Sequence, residues 1–131
     1  MRMLWLVMAT CLSSAALASD AVSGLWRTEP NDEGLYLTVQ IGACEDNAER
    51  VCGVIMERVD ADGQAGESEF SGRYIIKNMR AAGEGRWNKG TIWAPDDDKT
   101  YKSKMALVDG GLKVSGCVFV ICRGQVWQRV E

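Results

Sequence analysis

Apolar and polar residues alternate along most of the chain with a period of two. In the segment Leu35-Tyr36-Leu37-Thr38-Val39-Gln40-Ile41, every second residue is aliphatic, and Leu112 and Val114 flank Lys113 in the same way. Residues 100–107 repeat the alternation with Tyr, Ser, Met and Leu on one side and mostly Lys on the other. This pattern predicts β-strands that each bury one face.

Turn-forming residues separate the alternating runs near residues 29–34, 60–63, 82–85, 95–98 and 109–111. We therefore predict eight strands, near residues 22–28, 35–42, 52–59, 73–79, 86–94, 100–108, 111–118 and 123–130. Short strands with frequent turns predict an all-β antiparallel sandwich or barrel, and eight strands suffice to close a small barrel without exposed edges. Residues 49–59 also admit a short helix, but the glycine and β-branched residues in Cys52-Gly53-Val54-Ile55 favour a strand.

The first eighteen residues have the three parts of a secretory signal peptide. Arg2 is followed by an apolar stretch from Met3 to Leu12, and Ala16-Leu17-Ala18 forms a small-x-small cleavage site. The apolar stretch is too short to span a bilayer, which needs about 20 apolar residues. We expect cleavage after Ala18, a single domain over residues 19–131, and a periplasmic or secreted location. Lipidation at Cys11 is the alternative, but Thr10 before it fits the lipoprotein pattern poorly.

Composition excludes some partners. Removal of Arg2 with the signal peptide leaves 14 basic and 18 acidic side chains, so the mature charge is −4. The two signs are interspersed, and no basic stripe is present to bind nucleic acid or to attract anionic lipid.

Four cysteines remain once Cys11 is removed: Cys44, Cys52, Cys117 and Cys122. An even number in a small exported domain predicts two disulfides, for which the sequence permits three pairings. We expect the local pairs Cys44–Cys52 and Cys117–Cys122, because each would join adjacent strands across a short connection. Four free thiols or a zinc site are the alternatives, although the spacings do not resemble C-x2-C.

Several segments resemble the uncharacterised bacterial family called "domain of unknown function 2147". The similarity lies in Gly24-Leu25-Trp26-Arg27-Thr28, in Cys44 with Cys52-Gly53-Val54-Ile55, in Trp87 to Trp93, in Pro95, in Lys99-Thr100-Tyr101, in Leu112 to Cys117, and most specifically in Cys122-Arg123-Gly124-Gln125-Val126-Trp127-Gln128-Arg129. Residues 60–71 depart from the family, since they lack its Asn-Pro loop and Arg-Pro pair. The resemblance implies an exported eight-stranded lipocalin-like (calycin-type) barrel with no established activity.

The same resemblance implies how the barrel closes. In lipocalin-like barrels, a tryptophan of the first strand packs under an arginine of the last strand at the closed end. Trp26, in its G-x-W motif with Gly24, and Arg129, in its W-x-R motif with Trp127, are similar to that pair. Arg73, expected at a turn, should behave as an ordinary surface arginine.

Catalytic residues are scarce. The chain has no histidine, which removes Ser-His-Asp, Cys-His and most zinc mechanisms, and oxidised cysteines cannot act as nucleophiles. Asp96-Asp97-Asp98 and Asp60-x-Asp62-Gly63 are only fragments of a calcium site. We expect no enzyme activity, no cofactor and no metal.

Trp93, Tyr101 and Gln125 are the candidate ligand-binding residues. They are expected near the mouth of the barrel, where an aromatic wall with one amide is typical of a site for apolar ligands. Large side chains that fill a small barrel are the alternative. Two functions therefore remain: a binding protein for a small apolar or amphipathic ligand, or an envelope-stress or interaction protein with a filled core that acts through its surface.

Overall fold

A computed structural model of the protein describes residues 19–130, which contain β-strands, turns and loops and no helix. The signal peptide predicted over residues 1–18 lies outside the described residues. The strands are β1 (Gly24–Arg27), β2 (Tyr36–Ala43), β3 (Val51–Val59), β4 (Ala65–Gly66), β5 (Tyr74–Ala81), β6 (Arg86–Ala94), β7 (Lys99–Val108), β8 (Gly111–Val118) and β9 (Ile121–Val130).

Eight of these strands form a closed antiparallel barrel. Each long strand pairs with its neighbours in the chain, and β9 returns to pair with β1. The two-residue β4 pairs only with β3 and is the one strand that the sequence pattern did not predict. The helical alternative for residues 49–59 is wrong, because β3 occupies residues 51–59. The predicted all-β, eight-stranded lipocalin-like fold is confirmed.

The buried residues are those that the alternation places on one face. Leu112 and Val114 are buried while Lys113 between them is exposed. The core continues around the barrel through Val39, Ile41, Ile55, Ile76 and Met79. Gly53 on β3 leaves room for the side chains of Val39 on β2 and Ile76 on β5, since a Cβ there would lie 3.0 Å from Val39 and 3.3 Å from Ile76.

The up-and-down order divides the connections between the two ends of the barrel. The β2–β3, β5–β6 and β7–β8 connections share one end with residues 19–23, which we call the closed end. The β1–β2, β3–β5, β6–β7 and β8–β9 connections share the other, which we call the open end.

One disulfide lies at each end. Cys44 and Cys52 are bonded at the closed end, with their Cα atoms 4.9 Å apart. Cys117 and Cys122 are bonded at the open end, directly opposite each other on β8 and β9, with Cα atoms 4.1 Å apart. Both predicted local pairings are confirmed.

Trp26 and Arg129 are in contact at the closed end, as predicted. They are opposite each other in the β1–β9 ladder, and the guanidinium lies over the indole ring. Trp26 is almost fully buried, and its indole N–H donates a hydrogen bond to the carbonyl of Val22, at 2.9 Å. Arg129 donates to the carbonyls of Ser23 (2.9 Å) and Ala21 (3.3 Å), so it also fixes the segment that precedes β1.

A candidate ligand cavity at the open end

A cavity of about 1100 Å³ opens between the loops of the open end. Its volume is slightly above the roughly 300–1,000 Å³ usual for small-molecule sites. The wall is formed largely by aliphatic and aromatic side chains, among them Leu37, Ile75, Ile92, Val114 and Trp127. All three predicted ligand-binding residues, Trp93, Tyr101 and Gln125, line this cavity.

Trp93 is held by three neighbours. The ring of Phe70 packs against it edge-on, with the centroids 5.4 Å apart, and the indole N–H donates to Asp98 at 2.9 Å. The guanidinium carbon of Arg73 lies 3.7 Å from the centroid of the indole. Trp93 is consequently buried although it lines an open cavity.

The contact with Trp93 corrects one expectation for Arg73. Arg73 does lie in a loop, immediately before β5, and is exposed. However, a guanidinium stacked on an indole is an attractive interaction that an ordinary surface arginine does not make. Arg73 therefore belongs to the support of the cavity wall, and the expectation that it behaves as an unpartnered surface arginine is wrong.

Tyr101 and Gln125 stand on opposite sides of Val114 and Gly116. Tyr101 is paired with Ile92 across the β6–β7 ladder, and its hydroxyl donates to Asp97 at 3.3 Å. The amide oxygen of Gln125 accepts the indole N–H of Trp127 at 3.1 Å. This bond uses the amide oxygen of Gln125 and leaves its amide nitrogen as a further donor on a residue that lines the cavity. Trp127 thus supports the cavity as well as the core.

Charged side chains surround the cavity mouth. Six are acidic and two are basic: Glu29, Glu33, Glu67, Glu69, Asp96, Asp97, Arg58 and Arg123. One carboxylate oxygen of Glu29 accepts the backbone N–H of Val126 at 2.8 Å and so ties the β1–β2 loop to β9.

The acidic runs noted in the sequence have structural partners. Asp97 and Asp98 accept hydrogen bonds from Tyr101 and Trp93, and Asp60 accepts the backbone N–H groups of Asp62 and Gln64. Residues 19–130 contain no group of three or more metal-ligating side chains close enough to hold an ion. Across the same residues, every fully buried polar side-chain atom has a hydrogen-bond partner.

Two parts of the site were not singled out from the sequence as binding residues. Phe70 and Arg73 lie in the β3–β5 connection, and nothing in the neighbouring sequence indicated a position beside the cavity. The β8–β9 turn, residues 118–121, carries four consecutive apolar residues at the mouth, and that unusual turn composition was a usable signal.

An antiparallel eight-stranded barrel with a cavity at one end is a lipocalin-like fold. A family model described as "Uncharacterized protein conserved in bacteria (DUF2147)" matches residues 24–129. The chain belongs to this family.

A solved structure supports the same fold. The chain is similar to protein HP1028 from the human pathogen Helicobacter pylori, which is described as belonging to the lipocalin family. The TM-score is 0.63 and the sequence identity is 14%, over 83% of this chain and 82% of that one. At this identity the likeness shows the fold alone. No curated protein matches the chain. Within the described residues, no helix is long and apolar enough to cross a bilayer.

Proposed function

We propose that this protein binds one small apolar or amphipathic molecule in the cavity at the open end of the barrel. The observation that carries the proposal is a cavity of about 1100 Å³ with an aromatic and aliphatic wall. Burial of an apolar molecule against such a wall is favourable in proportion to the area removed from water, at about 25 cal/mol per Å². Trp93 and Tyr101 supply the aromatic part of this wall, and Gln125 supplies one amide donor.

The donor of Gln125 narrows the class of ligand. Its oxygen already accepts from Trp127, so its nitrogen is available to an oxygen atom of the ligand. A ligand with an apolar body and one hydrogen-bond acceptor fits this arrangement better than a pure hydrocarbon. Gln125→Leu removes this donor and also the acceptor of the Trp127 N–H. It should therefore weaken binding of such a ligand by about 2- to 10-fold more than it weakens binding of a hydrocarbon, the effect of one hydrogen bond.

We propose further that the protein works outside the cytoplasm, after cleavage behind Ala18. The two disulfides support this location, since such bonds persist in oxidising compartments. The resulting first residue would be Ser19, whose carbonyl accepts hydrogen bonds from the backbone N–H groups of Val22 and Ser23. N-terminal sequencing of the exported protein should begin at Ser19. A lipidated Cys11 at the N-terminus would contradict both cleavage after Ala18 and release of the protein from the membrane.

The surface-acting alternative required a filled barrel. The cavity at the open end argues against a filled barrel, so we favour ligand binding. The lipocalin-like fold and the lack of a catalytic residue set in the sequence likewise favour binding over catalysis. The first test is native mass spectrometry of protein isolated gently after export, which should show an added mass that is lost on denaturation.

A matched pair of variants tests the location of binding. A Cβ at Gly116 would lie 3.3 Å from Ile92 and 3.6 Å from Tyr101, so Gly116→Leu places an aliphatic side chain at the cavity wall. A Cβ at Gly42 would meet nothing within 4 Å, and Gly42 does not line the cavity, so Gly42→Leu is the control. The fluorescent probe N-phenylnaphthylamine should bind the native and Gly42→Leu proteins. It should bind Gly116→Leu at least about 10-fold more weakly, a difference of about 1.4 kcal/mol. Equal affinities in all three would overturn the proposal.

A further inference from the structure

The β8–β9 turn carries an apolar tip, which we define as Val118, Phe119, Val120 and Ile121. Phe119 is 96% exposed and Val120 is 94% exposed, while Ile121 and Val118 are 68% and 52% exposed. Exposed large apolar residues on a protein surface are common singly, but a contiguous group of them marks an interaction site.

The folding of the hairpin does not account for these side chains. Val118 and Ile121 form the last pair of the β8–β9 ladder, so Phe119 and Val120 are the two central residues of a tight turn. Two-residue hairpin turns favour Asn, Asp and Gly, because backbone angles with φ above zero are required. Phe119 adopts φ 54°, a region that bulky residues rarely occupy. A phenylalanine here is therefore unfavourable locally and buries almost nothing within the described residues.

The tip has a fixed position beside the cavity. The Cys117–Cys122 disulfide and the antiparallel ladder hold the two strands directly beneath it. All four tip residues line the cavity mouth. A partner that binds the tip therefore also lies against the entrance of the proposed ligand site.

The size and charge of the surface select the partner. A stable protein interface needs about 800 Å² and 20–30 residues from each side, and one four-residue turn supplies only a fraction of this. A lipid bilayer accepts a small protruding apolar group without a complementary surface, and the free energy of insertion scales with the apolar area buried. The six acidic residues around the mouth give no attraction to anionic lipid.

We propose that the apolar tip inserts into the interfacial region of a phospholipid bilayer and holds the cavity mouth against the membrane. Phe119 and Val120 provide the inserted surface, and insertion does not require the cavity to be occupied. Membrane insertion of the tip is thus a property separate from ligand binding in the cavity.

Vesicles of phosphatidylcholine, which carry no net charge, are the direct probe of insertion. The exported, oxidised protein should float with these vesicles in a density gradient. Phe119→Ser and Val120→Ser should each weaken the association, Phe119→Ser by about 10-fold or more, as expected for loss of one large buried apolar side chain. Val108→Ser is the matched control, because Val108 is a 38% exposed valine at the closed end, and it should bind as the native protein does.

A glycine variant separates insertion from folding. Phe119→Gly suits the positive φ, so its urea midpoint should not fall below that of the native protein, yet its vesicle binding should fall as in Phe119→Ser. Gly116→Leu, which obstructs the cavity, should still bind vesicles. Failure of the native protein to bind phosphatidylcholine would overturn the inference. Equal vesicle binding by the native protein, Phe119→Ser and Val120→Ser would also overturn it. So would binding that needs anionic phosphatidylglycerol and disappears in high salt.

Discussion

The guanidinium carbon of Arg129 lies 4.2 Å from the centroid of the Trp26 ring, although these residues come from the last and first strands of the barrel. The two residues are also directly opposite each other in the β1–β9 ladder. The Arg129 side chain thus covers the buried indole of Trp26. It also fixes residues 21–23 by donating hydrogen bonds to the carbonyls of Ser23 and Ala21.

Arg129→Ala should destabilise the protein by about 1–2 kcal/mol, because the cation–π contact and the bonds to Ser23 and Ala21 are lost together. Urea unfolding followed by tryptophan fluorescence, with disulfides intact, measures the change. Arg80→Ala is the control, since Arg80 is an exposed arginine on β5, and it should shift stability by less than about 0.5 kcal/mol. Equal midpoints for the two variants would show that Arg129 does not staple the closed end.

Gly24→Ala should destabilise the same end through the same arginine. Gly24 adopts φ 138°, and a Cβ there would lie only 2.7 Å from a guanidinium nitrogen of Arg129. The alanine therefore adds backbone strain of about 1–3 kcal/mol and also displaces the arginine.

A double-mutant cycle separates these two costs of Gly24→Ala. In the Arg129→Ala background, Gly24→Ala should lower the free energy of unfolding by less than it does in the native protein, because the arginine side chain that it would displace is absent. Strict additivity of the two substitutions would contradict a steric coupling.

Arg73→Ala should loosen Trp93 while leaving the barrel closed. Loss of the stacked guanidinium at an exposed site costs about 0.5–1 kcal/mol, and the indole becomes more accessible to water. The measurements are the urea midpoint and quenching of tryptophan fluorescence by acrylamide, each compared with Arg80→Ala. Quenching equal to that of the control would mean that the stacking seen at Trp93 is not maintained in solution.

The two disulfides should differ in their susceptibility to reduction. Cys44 and Cys52 are both buried, whereas Cys122 is exposed and Cys117 is half-buried. Because a thiolate must reach a sulfur atom directly, mild reductant should open Cys117–Cys122 first. Alkylation of the freed thiols followed by peptide mapping identifies the order. Earlier labelling of Cys44 and Cys52 would contradict this reasoning.

The strands could be predicted because their information is local. The alternation around Lys113 and the turn residues at 109–111 each depend on neighbours in the chain, and β8 begins and ends where the pattern does. The disulfides followed from the same reasoning, since each cysteine pair is separated by one short connection. Closure through Trp26 and Arg129, in contrast, was implied by family resemblance rather than by the pattern.

The cavity could not be predicted in the same way. Its existence depends on how strands far apart in sequence place large and small residues at one level, such as Gly116 beside Ile92 and Tyr101. The role of Arg73 was missed for a similar reason, because nothing near it in sequence indicates that it stacks on Trp93. Trp93, Tyr101 and Gln125 do meet at one cavity, and their role in binding stays a prediction.

The ladder between β1 and β9 is one of the two shortest around the barrel wall, with three residue pairs. It runs only from Leu25 opposite Val130 to Arg27 opposite Gln128, whereas the β8–β9 ladder runs from Leu112 to the tip of the hairpin. We therefore expect local unfolding to start here, with β1 separating from β9 before the longer ladders open. A barrel that has no edge in its native state acquires one in that brief interval, and an unpaired strand edge is a template for another chain. Self-association of this protein on heating should consequently begin at the β1-facing edge of β9, the strand that also carries Gln125 and Trp127 of the cavity wall.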